Sequence, residues 1–168
     1  MEAANLVQKL HLRPKRTIRV IAWMNEENGL AGSKQYAKDH EKEWSNHFTA
    51  METDNGAGHP IGINIDAKRE VKAMLAPVAA VLQESGAGGL TLVDHVGADI
   101  EPMEKAGVPS FGPIQDSRFY FNYHHTAADT LDNIVPKELA ENSAVVAVVA
   151  YALANSEQPL PREVTSNK

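Results

Sequence analysis

The sequence contains no cysteine. This excludes disulfides, thiolate catalysis and cysteine-based zinc sites. It has no apolar run near the roughly 20 residues of a membrane-spanning helix, and it has no secretory signal. The 16 basic residues are scattered and outnumbered by 22 acidic ones, which gives a net charge of −6. Neither a membrane nor a nucleic acid is therefore an expected partner.

The chain does contain enough residues for one domain, and it is rich in possible metal ligands. Its 168 residues suffice for a hydrophobic core. With no cysteine, a transition metal would have to be bound by histidine, aspartate and glutamate, and this ligand set is typical of catalytic zinc. There are seven histidines: His11, His40, His47, His59, His95, His124 and His125.

An acidic pair follows the first apolar segment. Residues Thr17–Trp23 are β-branched and apolar, and they predict a buried strand. Glu26 and Glu27 come directly after it, and a helix is predicted from Ser33. Ligands collect outside the carboxyl ends of strands in α/β sheets, so the pair is a candidate site, although two solvated loop charges are the alternative. Adjacent residues point in different directions, so one glutamate could bind a metal while the other moves protons.

A second acidic loop follows the next predicted strand. Residues 46–52 predict this strand, and Asp54 lies in the glycine-rich loop behind it. A predicted helix over 33–44 would join the two strands. If they are parallel neighbours in a right-handed crossover, Glu27 and Asp54 lie on one rim of the sheet.

The remaining segments complete an α/β pattern with a mixed, mostly parallel sheet and helices on both faces. Residues 1–155 form the predicted domain, and the tail 156–168 is predicted to be loose. Pro77 is expected to kink or split one helix, and Gly107 to close another. The predicted helices are 2–12, 67–84, 99–106 and 136–155, and the predicted strands are 62–65, 90–93 and 108–114.

A third loop carries two adjacent histidines, His124 and His125, within residues 120–132. Together with Glu26, Glu27 and Asp54, these provide carboxylates and imidazole from three strand-end loops. Zinc enzymes that hydrolyse amides use this combination, because the metal polarises a carbonyl and activates a water. A nearby unliganded glutamate then takes the proton of the water and passes it to the leaving amine.

Three segments carry a family resemblance: NEENGLAGS (25–33), ETDNGAG (52–58) and YHHTAADTLD (123–132). They resemble the co-catalytic zinc exopeptidases of clan MH, in the branch that contains plasma glutamate carboxypeptidase and aminopeptidase Y. The resemblance runs from the first residues to about Leu153. It implies an aminopeptidase, carboxypeptidase or dipeptidase that acts on peptides or dipeptides through a metal-bound hydroxide.

The resemblance also implies a role for each matching residue. Glu26 would be the general base, and Glu27 and His125 would ligate one zinc. Asp54 would ligate the other zinc of a two-zinc site.

Three further residues would support this site. His124 would pack beside His125 or support it from outside the ligand shell. Asp129 would hold the His125 loop through hydrogen bonds to its backbone or by orienting the imidazole. Asp99 lies where family members often place a residue that lines the site.

The sequence departs from the family pattern upstream. The family also uses a His-x-Asp segment and an aspartate that bridges the metals, and neither occurs here. The chain is therefore expected to be the C-terminal part of a longer enzyme, to retain one zinc or none, and to have little or no peptidase activity alone. Exposed sheet edges would favour self-association. The family resemblance implies a secreted or periplasmic parent.

Two other functions fit the same residues. A glutaminyl cyclase resembles the same fold and uses one zinc, for which Glu27 and His125 would suffice; Asp54 argues against it. A non-catalytic binding domain or remnant, as in the transferrin receptor ectodomain, fits the missing bridge. The intact Glu26, Glu27 and His125 argue against that alternative.

Overall fold

A computed structural model describes residues 1–162 of the chain. Six helices are found within this part, together with four strands and short 3-10 turns between them. The helices are α1 (Glu2–Lys9), α2 (Ala31–His40), α3 (Arg69–Met74), α4 (Ala76–Leu82), α5 (Glu101–Lys105) and α6 (Pro136–Asn155); the strands are β1 (Ala50–Met51), β2 (Pro60–Asp66), β3 (Gly89–Leu92) and β4 (Ser110–Gln115). No helix among these residues is long and apolar enough to cross a bilayer.

The four strands form one sheet in the order β1-β4-β2-β3. β1 runs parallel to β4, and β2 runs parallel to β3. The central pair, β2 and β4, is antiparallel. Two of the three pairings are therefore parallel, which confirms the prediction of a mixed, mostly parallel sheet.

The main core lies between one face of the sheet and α6. Ile63 and Ile65 of β2 and Phe111 of β4 are almost completely buried there, together with Val149 and Leu153 of α6. A smaller cluster surrounds α5 and includes Ile100 and Met103, and Val96 packs at its edge. Val96 also lies against Gly112 of β4. Because Phe111, the residue before Gly112, faces the main core, Val96 lies on the opposite face of the sheet. Apolar segments thus cover both faces of the sheet.

The predicted strand at Thr17–Trp23 is wrong. These residues belong to no strand, and Val20 is 49% exposed. A strand is stabilised by backbone bonds to a neighbour, and β1 has only two residues, so its open edge offers few backbone groups for pairing. A cavity of about 670 Å³ lies between residues 17–23 and β1. The two segments are therefore not paired as the sequence predicted.

Several predicted boundaries also move. The strand predicted over 46–52 shrinks to β1, because Glu41–Asn46 forms a 3-10 turn after α2. The helix predicted over 67–84 splits into α3 and α4 with Pro77 in the first turn of α4, as expected from its missing N–H. Gly107 closes α5 with a φ of 74°. Helix α6 has the predicted bounds.

The described part of the C-terminal tail packs against the domain. Leu160 is 6% exposed and belongs to the main core. The guanidinium of Arg162 donates hydrogen bonds to the carbonyl oxygens of Trp44 and His47. The rest of the predicted loose tail, residues 163–168, lies outside the described residues.

Candidate metal centre

The acidic pair lies in a tight loop in front of α2. The carbonyl of Glu26 accepts hydrogen bonds from the N–H groups of Gly29 and Leu30, both at 3.0 Å. Asn25 and Leu30 both have a φ near +60°. Non-glycine residues adopt this conformation at a cost, and such strain is common at functional sites. The loop leaves Glu26 half-buried and Glu27 exposed.

Helix α6 anchors the second loop, which carries Asp54. The buried amide of Asn142 donates one hydrogen bond to the carbonyl of Gly58 at 2.6 Å and another to its own helix at 2.9 Å. Gly58 also lies directly against the carbonyl of Asp116, which leaves no room for a Cβ atom. The backbone of this loop is thus fixed, while the Asp54 side chain is exposed.

The third loop holds His125 in a left-handed conformation, with a φ of 56°. Thr126 stabilises this turn: its hydroxyl donates to the carbonyl of Tyr123 at 2.6 Å and accepts from the N–H of Ala128 at 3.2 Å. The N–H of Asp129 then donates to the carbonyl of Thr126 at 3.1 Å. The threonine hydroxyl thus closes the turn. The Asp129 side chain lines a cavity that residues of all three loops also line.

The three loops meet at this cavity, which has a volume of about 450 Å³. Nε2 of His125 lies 2.8 Å from Oε1 of Glu27, although the two residues are 98 positions apart in the chain. Asp54, His124 and Asp129 line the same cavity. Five of the seven predicted site residues are therefore brought together.

The other two predicted residues, Glu26 and Asp99, are not among the described lining residues. Asp99 is 6% exposed, and its backbone carbonyl accepts a hydrogen bond from Ser33 at 2.5 Å. Burial raises the pKa of the Asp99 carboxyl, and the nearby charges of Glu26 and Asp54 raise it further. Asp99 thus lies behind the site, within electrostatic reach of the predicted base.

Glu52 is a buried carboxyl that the sequence interpretation did not select. It is 8% exposed, and it accepts a hydrogen bond from the N–H of Ile100 at 2.9 Å. Burial raises its pKa to about 7, and the charges of Asp99 and Asp54 add to this effect. Its other oxygen, Oε1, and Oδ1 of Asp99 are both buried without a hydrogen-bond partner. Its position as the last residue of the strand predicted over 46–52 is the sequence signal by which Glu52 could have been found.

This raised pKa predicts a pH dependence of stability. A free glutamate has a pKa of 4.5, so the folded chain holds this proton more tightly than the unfolded chain does. The free energy of unfolding should therefore fall as the pH rises from about 5 to 8, by up to about 3 kcal/mol from this group. Urea unfolding in the presence of a chelator should show this slope in the wild type and a flatter one in Glu52→Gln. Equal slopes would contradict the assignment.

The donors fit a zinc ion in kind but do not form a complete shell. Carboxylate and imidazole are the expected ligands for zinc, and Glu27 and His125 already lie in contact at 2.8 Å. Asp54 lines the same cavity. Within residues 1–162, however, no group of three or more histidine, aspartate or glutamate side chains is arranged to hold a metal. The described residues thus bring two donors of the kind that zinc prefers into contact and place a third at the same cavity.

Comparisons with known proteins agree with this fold and show the family of the chain. The model of peptidase family M28 matches residues 1–150. Carboxypeptidase Q from Homo sapiens is 37% identical over 161 residues, and the protein from Rattus norvegicus is 38% identical over 163 residues; each alignment covers 96% of this chain. The chain therefore belongs to peptidase family M28, a family of zinc-dependent hydrolases.

Solved structures show the same fold, and one of them is a member of the same family. The peptidase M28 precursor from Shewanella amazonensis superposes with a TM-score of 0.88 at 38% identity, over 96% of this chain and 37% of that protein. The LapA aminopeptidase of Legionella pneumophila has a TM-score of 0.68 at 22% identity over 94% of this chain and 44% of that one, and this match shows the fold alone. The chain spans about a third of the length of the curated relatives that it matches, at 34%.

Proposed function

We propose that this chain provides the general base and part of the metal-binding edge of a zinc exopeptidase. The observation that carries this proposal is the contact between Glu27 and His125, at a cavity that Asp54 also lines. A carboxylate and an imidazole from distant parts of a chain, meeting at an exposed cavity, are ordinary zinc donors. Neither residue is buried in the hydrophobic core, so packing does not explain why they meet.

Each residue has a separate task in this proposal. Glu27 and His125 hold one zinc, and Asp54 supplies a donor for a second. When bound, zinc supplies Lewis acidity that polarises the scissile carbonyl and acidifies a water. Glu26 takes the proton of that water and delivers it to the leaving amine. Its half-buried position beside Glu27 suits this task, since the base must remain close to the metal without being a ligand.

The proposed substrate is the end of a peptide or a dipeptide. The cavity of about 450 Å³ is of the size expected for a small ligand. Five carboxylates line it, and Arg118 is the one arginine or lysine among the described lining residues. The guanidinium of Arg118 is held by the Asp116 carboxylate, with contacts of 2.5 to 2.9 Å. The relatives include both a carboxypeptidase and an aminopeptidase, so we propose exopeptidase activity without assigning the terminus.

Zinc affinity tests this proposal directly. His125 has a φ of 56° and His11 a φ of 53°, and asparagine tolerates this conformation. His125→Asn should therefore remove one ligand without added backbone strain, and it should weaken zinc binding at least about 100-fold. His11→Asn is the matched control and should leave binding unchanged. Isothermal titration of the 168-residue chain gives both affinities.

Glu26→Gln separates the base from the ligands. It should leave zinc affinity within about threefold of wild type, because Glu26 is not a proposed ligand. Equal zinc affinity in the wild type and His125→Asn, with both chains folded, would overturn the proposed site. Because little turnover is expected from this chain alone, dipeptide hydrolysis and cyclisation of an N-terminal glutamine peptide are assayed side by side at high protein concentration. Chelator-sensitive turnover of one of the two substrates distinguishes the exopeptidase from a glutaminyl cyclase.

A non-catalytic M28-like domain is the second candidate. The observation that favours it is that no three donors converge among the described residues. This candidate predicts a folded chain that binds no zinc at micromolar concentration. The same titration therefore separates the two functions.

A further inference from the structure

A stack of rings connects two of the loops that form the cavity. The imidazoles of His124 and His125 lie 3.9 Å apart between centroids, at an interplanar angle of 30°. The ring of Tyr120 also stacks on His124, at 4.6 Å and 26°. The outer member of the stack, His125, is the residue that contacts Glu27. An arrangement of this kind restricts the imidazole to few orientations.

The Tyr120 ring also lies against the Asp54 loop. Gly56 has a φ of +84°, and a Cβ atom built on it would lie 2.8 Å from Cδ2 of Tyr120. The ring therefore approaches the glycine backbone more closely than any other residue type would allow. Tyr120 thus touches the loop that carries Asp54 and, through His124, supports the loop that carries His125.

We propose that Tyr120 is a positioning residue that fixes the distance between the Asp54 loop and the His125 imidazole. The inference rests on the proposed function, because it assigns to the ring the spacing of residues that would bind zinc. Tyr120 has no signal of this role in the sequence, because it is five residues from His125 and lies in a separate 3-10 turn, Tyr120–Asn122. Only the folded chain brings the ring between the two loops.

The ring, and not the hydroxyl, carries this role. Every contact described above is made by ring atoms. The hydroxyl lies near the carboxylates of the same cavity: burial raises the pKa of Tyr120, and the charges of Asp54, Asp129 and Glu27 raise it further. Phenylalanine should therefore replace tyrosine with little loss, while an aliphatic side chain should not.

Metal titrations of the full chain test this assignment. Tyr120→Leu should weaken zinc binding about 10- to 100-fold, which is the usual cost of losing a group that orients a ligand. Tyr120→Phe should restore affinity to within about threefold of wild type. Tyr151→Leu is the matched control: Tyr151 lies in α6 and lines a groove that shares no described lining residue with the cavity, so its substitution should leave affinity unchanged.

Cobalt(II) in place of zinc provides a readout that a general loss of stability would not move. The visible absorption of the bound cobalt reports ligand geometry. Its band positions should differ between Tyr120→Leu and wild type and should be restored in Tyr120→Phe. Identical affinity and spectra in wild type and Tyr120→Leu would overturn the inference while leaving the proposed function intact. Absence of metal binding in the folded wild type would instead overturn the proposed function, and this assignment with it.

Gly56→Ala provides a second route if Tyr120→Leu fails to fold. The added methyl group would meet the same ring at 2.8 Å and displace it from the Asp54 loop. We expect weaker zinc binding and the same change in the cobalt spectrum. Unchanged affinity and an unchanged spectrum in this variant would contradict the role of the ring.

Discussion

Replacing Phe111 with alanine is expected to lower the free energy of unfolding by about 3 to 5 kcal/mol. Phe111 lies in β4, the strand that joins β1 to β2, and its side chain is completely buried. It packs in the main core with Ile65, its partner across the antiparallel pair, and with Val149 and Leu153 of α6. The truncation would leave a cavity between the sheet and α6, which surrounding residues can fill only in part. Single domains of this size have total stabilities of about 5 to 15 kcal/mol.

Urea denaturation monitored by circular dichroism measures this loss. Phe121→Ala is the matched control, because Phe121 is 76% exposed and its truncation should cost less than about 1 kcal/mol. Equal losses in the two variants would contradict the placement of Phe111 at the centre of the core.

Replacing Gly58 with alanine should have the second largest effect, a loss of about 2 to 3 kcal/mol. The new Cβ would overlap the carbonyl oxygen of Asp116, which is backbone and cannot rotate away. The N–H of Asp116 also donates to the carbonyl of His59 at 2.8 Å, and the carbonyl of Gly58 accepts from Asn142. The clash would therefore strain the contacts that hold the Asp54 loop on α6.

Gly29→Ala separates this steric effect from backbone strain. Gly29 has a φ of +102° and nothing within 4 Å of the position of a Cβ atom, so its substitution should cost only about 1 kcal/mol of conformational energy. Thermal melts of both variants give the comparison. A smaller loss in Gly58→Ala than in Gly29→Ala would contradict the close packing of Gly58.

Much of the fold could be predicted because local patterns agree with tertiary packing. Helix α6 was predicted with its observed bounds, since a proline at its first position and a long apolar segment both indicate a buried helix. Pro77 marked the break between α3 and α4 for a purely covalent reason. Gly107 marked the end of α5 because the residue there adopts a positive φ.

The segment Thr17–Trp23 could not be predicted in this way. Its β-branched composition expresses a preference for a pleated, half-buried surface, and the preference is realised only beside a strand with free backbone groups. Here β1, which lines the same cavity as this segment, is only two residues long and offers few backbone groups on its open edge. Composition predicts a tendency, while pairing depends on partners elsewhere in the chain.

The sequence predicted part of the candidate site, namely the residue types, but not the contacts between them. Residue type and position after a strand or apolar segment identified the acidic pair, Asp54 and the histidine pair, and the family resemblance selected Glu27, Asp54 and His125 from them. The structure places all three at one cavity. Sequence could not supply the contact of 2.8 Å between Glu27 and His125, because it spans 98 residues. Glu52 and Tyr120 were missed because their environment is created by folding.

The measurement that tests the central claim most directly is a crystal structure of the 168-residue chain grown with zinc, with anomalous data collected on both sides of the zinc edge. The account predicts an anomalous peak at the cavity, about 2.0 to 2.2 Å from a carboxylate oxygen of Glu27 and from Nε2 of His125. A well-ordered chain with zinc bound elsewhere, or with no peak at these two side chains under micromolar zinc, would contradict the claim that they form part of a metal centre.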